Sequence, residues 1–299
     1  MAKKTVNFHF YEISRMNPNR DSFEDGIKKL FSIKQLDQRT IAIKHQKYRL
    51  EKITFNPSVN GIPCHWELDF LKFRLDGPGL AELDKPTGDA KNSSNQFFNE
   101  ECCALFFPNN GKPFIIIQYN HIGMRAAAIA EYISYFTNNQ FEFRLGVKKD
   151  ALSRIRKMNI FTQVHLDIIE VGSKNIQAQS QAGKGFISGI RACAQAAQGY
   201  RGIIEFKGKK TPADRLNFNQ QAINEIIDFA QDPANDIREL FISGVENEDD
   251  RIDQVHFFKE KIEYSSKLNI NLLSGRIDFK ERIKAALSAY HDWRQRGYC

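Results

Sequence analysis

The stretch from Ala104 to Phe136 constrains the fold most, because it sets three structural elements in direct succession. A short apolar run, Ala104 to Phe107, is followed by turn residues, Pro108 to Pro113, and then by a β-branched and aromatic run, Phe114 to Asn120. Two such runs around a glycine-containing turn predict a β-hairpin. From Ala126 to Phe136 the apolar residues recur with a period of about 3.6, which predicts an amphipathic helix. We therefore expect a hairpin and a helix at the centre of the core.

The residues before this stretch predict an antiparallel sheet with one helix. Alternating apolar and polar side chains indicate half-buried strands, which we place at 5–13, 39–44, 46–55 and 64–75. Phe23, Ile27 and Leu30 fall at helical spacing behind Asp21 or Ser22, either of which is a suitable N-cap. An antiparallel meander is the simplest arrangement of such consecutive strands.

The pattern changes near residues 150–159, where we place a domain boundary. Beyond it we predict strands at 164–171, 201–207, 237–245, 255–264 and 268–273, and helices at 175–198, 211–230 and 278–294. Asp278 and Glu281 have the spacing of a capping box for the last helix. The chain is therefore expected to be α+β, with an antiparallel sheet and two helices over 1–150 and an α/β or α+β half over 151–299.

Several of these residues also carry a resemblance. The strand that contains Tyr11, the Tyr48-Arg49-Leu50 strand, and the block from Phe106 to Gly123 before the Tyr132 helix resemble a bacterial and phage family of unknown function. The resemblance covers residues 5–136. It implies a setting in prophages or mobile elements, and hence a part in conflict with phages. It implies no catalytic residues.

The charge of the chain is compatible with a nucleic-acid partner. It carries 43 basic and 36 acidic side chains, a formal net charge of +7, and its basic residues form clusters. The candidates are Lys148, Lys149, Arg154, Arg156 and Lys157 near the boundary, and Lys207, Lys209 and Lys210 after a strand. If they converge, they form a surface that follows the phosphates of DNA or RNA. Taken singly, each is an ordinary solvated cation.

A second set of residues is typical of metal-dependent nucleases. Glu205 and Lys207 lie two apart on a predicted strand and therefore project to the same face. In such enzymes the carboxylate holds Mg²⁺ while the lysine polarises a water molecule. A further carboxylate is needed, and Asp167 on the preceding strand is the candidate. The alternative is a solvated cross-face pair.

A third candidate site lies where the central strand ends. Gln118 and Asn120 follow apolar residues on the same face of the strand, and His121 and Arg125 lie beside them at the start of a helix. A helix N-terminus with an arginine favours an anion such as phosphate. The alternative is that Gln118 and Asn120 satisfy loop backbone while Arg125 faces solvent.

Other classes of site and location are not favoured by the sequence. The five cysteines are odd in number and include no C-x-x-C pair. No histidine has metal-ligand spacing to another His or Cys except His65 beside Cys64, and these two side chains are expected on opposite faces of a strand. Neither a metal nor another cofactor is therefore expected outside the nuclease hypothesis. The start of the chain lacks the apolar segment of a secretory signal, and no run of eighteen apolar residues occurs, which favours a cytoplasmic protein without an integral membrane segment.

Two functions are therefore retained. The first is a non-enzymatic component of an anti-phage or mobile-element system that binds nucleic acid or a protein partner through basic surface. The second is a Mg²⁺-dependent nuclease that uses Asp167, Glu205 and Lys207. A toxin or inhibitor acting on a host protein is a third possibility, and the oligomeric state is left open.

Overall fold

The computed structural model describes most of the chain. The described residues are 2–59, 61–74, 79–80, 88–89, 98–109, 112–120, 122–169, 189, 201–208, 220–232, 237–247, 250–271 and 276–298. They form two compact units. The first unit comprises Met1–Phe143 together with Glu263–Cys299, and the second unit comprises Arg144–Ile262. The chain thus leaves the first unit close to the predicted boundary and later returns to it, which the sequence did not indicate.

The first unit is built on an antiparallel sheet. Its strands are β1 (Lys3–Arg15), β2 (Thr40–Ile43), β3 (Gln46–Asn56), β4 (His65–Arg74), β7 (Phe98–Phe107), β8 (Phe114–Tyr119), β9 (Phe141–Leu145) and β14 (Glu263–Asn269). Their order is β14-β1-β8-β7-β4-β3-β2, with β9 also paired to β1. Two short strands, β5 (Gly79–Leu80) and β6 (Gly88–Asp89), pair only with each other among the described strands. The predicted hairpin is confirmed as β7 and β8, paired with Phe107 opposite Phe114.

Among its described residues, the first unit has three helices: α1 (Phe23–Ser32), α2 (Ala126–Tyr135) and α5 (Phe279–Gln295). Ser22 caps α1 in a capping box, because its hydroxyl accepts from Asp25 N while the Asp25 carboxylate accepts from Ser22 N. At the start of α5 the Asp278 side chain accepts from Lys280 N, so the predicted cap is present. Glu281 instead pairs with Lys284.

The core of the first unit is rich in aromatic side chains and contains a polar bridge at Tyr132. Phe107 stacks on Tyr290 of α5, with ring centroids 4.6 Å apart. The hydroxyl of Tyr132, on α2, donates to Arg39 O and accepts from Leu50 N, so it joins the residue before β2 to the middle of β3. The predicted helix α2 is confirmed, and its residues Ile129, Tyr132 and Ile133 are buried.

The second unit has its own antiparallel sheet. Its strands are β10 (Ile160–Ile169), β11 (Arg201–Lys207), β12 (Ile237–Val245) and β13 (Asp253–His256), in the order β11-β10-β12-β13. Two helices, α3 (Lys149–Lys157) and α4 (Gln220–Gln231), contribute Ala151, Ile155 and Ile223 to a core shared with Val164 and Leu166 of β10. Because side chains alternate along a strand, Gln163, His165 and Asp167 lie on the opposite face.

The α+β class is confirmed, and several elements differ from their predicted bounds. The residues at the predicted domain boundary, 150–159, were assigned no secondary structure, yet Lys149–Lys157 form α3 because Ala151 and Ile155 lie four apart and are buried together. The predicted strand 255–264 divides into β13 and a 3₁₀ turn, Phe257–Lys259, in which Phe257 is buried. The last strand begins at Glu263, earlier than predicted. Almost all of the predicted helix at 175–198 and the start of the helix at 211–230 lie outside the described residues.

Candidate functional site

The best-defined cationic surface of the second unit lies on α3. Ala151 and Ile155 of this helix are fully buried against the sheet. Lys149, Arg156 and Lys157 are exposed on its outer side. We call these three residues the α3 cationic face. No ion pair joins Arg156 or Lys157 to an acidic residue in the part of the chain that the structure describes.

The other two cations of the predicted cluster are engaged by acidic residues. Lys148 Nζ lies 3.0 Å from Glu260 Oε2. Arg154 Nε donates to Asp253 Oδ2 at 2.8 Å, and its Nη2 donates to Oδ1 of the same carboxylate. These hydrogen bonds from Arg154 hold the pKa of Asp253 below its usual range. Lys148 therefore connects the start of α3 to Glu260, and Arg154 connects the helix to β13. The exposed cations of α3 are those of the α3 cationic face, and the exposed Asp150 lies on the same helix.

Lys207 lies on the other side of the sheet from α3. In the β10–β11 register, Lys207 is opposite Gln163, and Phe206 is opposite the core residue Val164. The side chain of Lys207 therefore projects away from the helices. Lys209 and Lys210 lie outside the described residues. Among the described cations of the two predicted clusters, Lys207 and the α3 cationic face are consequently on opposite faces and do not form one continuous surface.

The three residues of the predicted nuclease site do share a face. Asp167 on β10 is opposite Ile203, and Glu205 is opposite His165. Lys207 Nζ lies 2.8 Å from Glu205 Oε2, and Gln163 Nε2 donates to Glu205 Oε1 at 2.7 Å. The hydrogen bond from Lys207, followed by the one from Gln163, lowers the pKa of Glu205, which is therefore a carboxylate at neutral pH.

This arrangement has two of the features that a nuclease needs and lacks a third. The carboxylate and the lysine are adjacent, and Asp167 is buried on the neighbouring strand. Across the described residues, however, no three side chains among His, Cys, Asp and Glu lie close enough together to hold a metal ion. A Mg²⁺ ion would therefore need Glu205 to turn from Lys207 and Gln163.

His165 and its neighbours were not singled out by the sequence. His165 Nδ1 lies 3.5 Å from Glu205 Oε1, and its Nε2 lies 3.9 Å from Glu239 Oε2. Its ring stacks on Phe241 at a centroid distance of 4.9 Å, with the two planes 7° apart. The alternation of His165 and Asp167 with apolar residues in β10 was the available signal, because it assigns both to the face away from the core.

The predicted anion site is largely committed to internal hydrogen bonds. Gln118 is buried, and its Oε1 accepts from Cys103 N at 3.3 Å. Asn120 Nδ2 donates to Glu101 O, and its Oδ1 accepts from Ile122 N. Arg125 is exposed at the N-cap position of α2 and makes no side-chain capping bond. His121 lies outside the described residues. Two of the four residues thus satisfy backbone groups, as the alternative explanation expected.

The described cysteines show no sign of activation. Cys64, Cys102 and Cys103 are free thiols, and the last two are fully buried. Burial raises the pKa of Cys102 to about 12 and that of Cys103 well above its usual value. Both thiols are therefore protonated at neutral pH, and neither is a nucleophile. No helix in the described part of the chain is long and apolar enough to cross a membrane.

Comparison with models of protein families places the chain in one family. A model with the description "Family of unknown function (DUF6731)" matches residues 1–296. The chain belongs to this family. The resemblance to a family of unknown function is therefore confirmed, and it spans nearly the whole chain of this DUF6731 member rather than residues 5–136 alone. No curated protein matches the sequence.

Proposed function

We propose that this DUF6731 member is a non-enzymatic component that binds nucleic acid through the α3 cationic face. Its place in an anti-phage or mobile-element system is part of the same proposal and comes from the resemblance of residues 5–136. A cytoplasmic location, expected from the sequence, also belongs to the proposal.

One observation carries the proposal: α3 separates its cations by role. Lys148 and Arg154 are paired with acidic residues of the same unit, while Arg156 and Lys157 are exposed without a described acidic partner. A helix that buries Ala151 and Ile155 and presents its remaining cations on the outer side is suited to contact phosphates.

The size of the effect follows from counterion release. Each phosphate that a lysine or arginine neutralises contributes about −0.9 to the slope of log affinity against log salt concentration. Three contacts from Lys149, Arg156 and Lys157 give a slope of about −2.7, which weakens binding roughly 40-fold between 50 and 200 mM salt. If only one of the three contacts remains, affinity falls roughly 3- to 4-fold over the same range of salt concentration.

The test is fluorescence anisotropy with labelled DNA and RNA oligonucleotides over a salt series, in EDTA. We expect Arg156→Ala/Lys157→Ala to reduce the magnitude of the salt slope by about 2. The matched control is Lys280→Ala/Lys284→Ala, which removes two exposed cations from α5 in the first unit. An equal change in both variants, or no binding by the unmodified protein, would contradict the proposal and direct the search to a protein partner.

A Mg²⁺-dependent nuclease is the second candidate. The observation that favours it is the common face of Asp167, Glu205 and Lys207, with His165 beside them. When bound, Mg²⁺ would activate water and stabilise the developing phosphate charge. Asp167 and Glu205 would hold the ion, and Lys207 would polarise the attacking water.

Incubation of labelled DNA and RNA with Mg²⁺ tests this candidate directly. If it is correct, the unmodified protein degrades an oligonucleotide only with Mg²⁺, and Glu205→Gln stops degradation without weakening binding in EDTA. Glu239→Gln serves as the control, because it removes a neighbouring carboxylate that the candidate does not use. Intact oligonucleotide after incubation with Mg²⁺ would contradict the nuclease candidate.

A further inference from the structure

The first unit carries a cluster of three aromatic side chains at its surface, which we call the aromatic patch. It consists of Phe31 at the end of α1, Phe55 on β3 and Trp66 on β4. The Trp66 ring lies 5.8 Å from the Phe31 ring in an edge-to-face arrangement, and 4.9 Å from the tilted Phe55 ring. Many of the described phenylalanines, such as Phe8, Phe70 and Phe107, are buried, whereas the two rings that contact Trp66 are exposed.

The two exposed rings of the patch pack against the buried side chain of Trp66. Trp66 is only 4% exposed, and its indole Nε1 donates to Glu24 Oε1 at 3.2 Å. Phe31 and Phe55 are 45% and 44% exposed. The buried indole therefore fixes the two rings through edge contacts and leaves a large part of each in contact with solvent. Rings that are fixed in this way lose little conformational entropy when they bind a flat ligand.

A cation lies beside the patch. Lys34 Nζ lies 5.5 Å from the centroid of the Phe31 ring, within the range of a cation–π contact. Glu24, whose carboxylate accepts from Trp66, is also paired with Lys28 at 3.2 Å. The Lys34 charge beside the exposed Phe31 ring therefore complements an anionic ligand.

We propose that the aromatic patch binds unpaired bases of a single-stranded nucleic acid. Bases stack on exposed aromatic rings whatever their sequence, and nearby cations contact the backbone. Phe31 and Phe55 would each receive a base, and Lys34 would approach a phosphate. The proposal rests on the proposed nucleic-acid binding and deepens it, because it names single strands as the target and adds a second surface, in the first unit. A protein partner could instead bind the two apolar rings through hydrophobic contacts alone, and such binding would not require Lys34.

The test measures binding to three ligands of equal length: a single-stranded oligonucleotide, its duplex, and a single strand without bases. Replacement of a stacking aromatic residue by alanine weakens single-strand binding roughly 5- to 150-fold. We expect an effect in that range for Phe31→Ala and for Phe55→Ala. Neither change is expected to affect the strand without bases, because it has nothing to stack.

Two further sets of variants separate stacking from a loss of folding. Phe31→Leu and Phe55→Leu keep an apolar contact with Trp66 but lack a ring, so they should behave like the alanine variants, whereas Phe55→Tyr should bind like the unmodified protein. The matched control is Tyr135→Ala, because Tyr135 is a 70% exposed aromatic residue elsewhere in the first unit. It should bind all three ligands normally.

The outcomes distinguish this inference from the proposed function. If the phenylalanine variants bind the single strand normally, or lose affinity for all three ligands equally, the patch does not stack bases. The salt slope of Arg156→Ala/Lys157→Ala then still reports on the α3 cationic face. If the unmodified protein binds no oligonucleotide, both proposals fail.

Discussion

Arg282 in the first unit and Arg156 in the second are the same residue type in opposite environments. Arg282, on α5, is 2% exposed, and its guanidinium contacts Asp69 of β4 and Glu101 of β7. Arg156, on α3, is exposed and has no described acidic partner. The comparison shows that an arginine holds the fold together where it is buried with carboxylates, and is available to a ligand where it is solvated and unpaired.

In the cluster around Arg282, two arginines contact two carboxylates. Arg282 Nη1 donates to Asp69 Oδ1 at 3.0 Å, and Nη2 donates both to Asp69 Oδ2 at 3.2 Å and to Glu101 Oε2 at 2.9 Å. Arg276 also pairs with Glu101. Burial raises the pKa of Asp69 although the Arg282 charge acts to lower it. Desolvation is therefore the larger effect, and Arg282 offsets only part of it.

The largest effect is expected for Arg282→Met. Removing the guanidinium leaves Asp69 and Glu101 as buried carboxylates with one cation fewer, which costs about 3–5 kcal/mol of unfolding free energy. Chemical denaturation followed by circular dichroism measures the loss. Lys284→Met removes an exposed cation two residues further along α5 and serves as the control. A similar, small loss in both variants would show that the buried cluster is not needed for the fold.

The pH dependence of that variant follows from the sign of the Asp69 shift. Because burial raises the folded-state pKa of Asp69 above its ordinary value, its charge costs no stability below that ordinary value and costs progressively more as pH rises toward the folded pKa. Without Arg282 the folded pKa rises further. The stability difference between the unmodified protein and Arg282→Met should therefore be smaller near pH 4 than at pH 7. Denaturation series at both pH values check this, and an equal difference would contradict it.

Arg154→Ala is expected to have an intermediate effect. The Arg154–Asp253 pair is partly exposed, and such pairs contribute about 0.2–1 kcal/mol. Because Arg154 lowers the pKa of Asp253, this contribution is present above the unfolded pKa and is lost as pH falls through the folded value. Thermal denaturation at pH 7 and pH 3 measures it, with Ser153→Ala as a control on the same helix. A loss at pH 7 as large as that of Arg282→Met would remove the distinction between the two environments.

The smallest effect on stability is expected for Arg156→Ala/Lys157→Ala. Exposed side chains without partners change the unfolding free energy by less than about 0.5 kcal/mol. Under the proposed function, the same variant loses much of its salt-dependent binding. Denaturation should therefore show the larger loss of stability for Arg282→Met. Anisotropy should show the larger loss of binding for Arg156→Ala/Lys157→Ala. Clear destabilisation of the double variant would mean that these cations hold α3 in place.

Sequence reasoning was reliable where the physical cause is local. The hairpin of β7 and β8 follows from two apolar runs around a turn, and α1 follows from its cap at Ser22 and the spacing of Phe23, Ile27 and Leu30. It was less reliable at α3, where a short helix rich in charge has only Ala151 and Ile155 to identify its buried side. The return of the chain from the second unit to the first had no local signal, because it depends on contacts between distant segments.

In the candidate sites, too, some features follow from the local sequence and others depend on contacts between distant residues. The sequence by itself determined which residues carry charge, and the period of two in β11 correctly assigned Glu205 and Lys207 to one face. Only the tertiary structure decided that Lys207 lies opposite α3, that His165 lies between Glu205 and Glu239, and that Phe31 and Phe55 stay exposed on a buried Trp66. The physical reason is that strand register and burial are set by what packs against a residue, and those partners are distant in the chain.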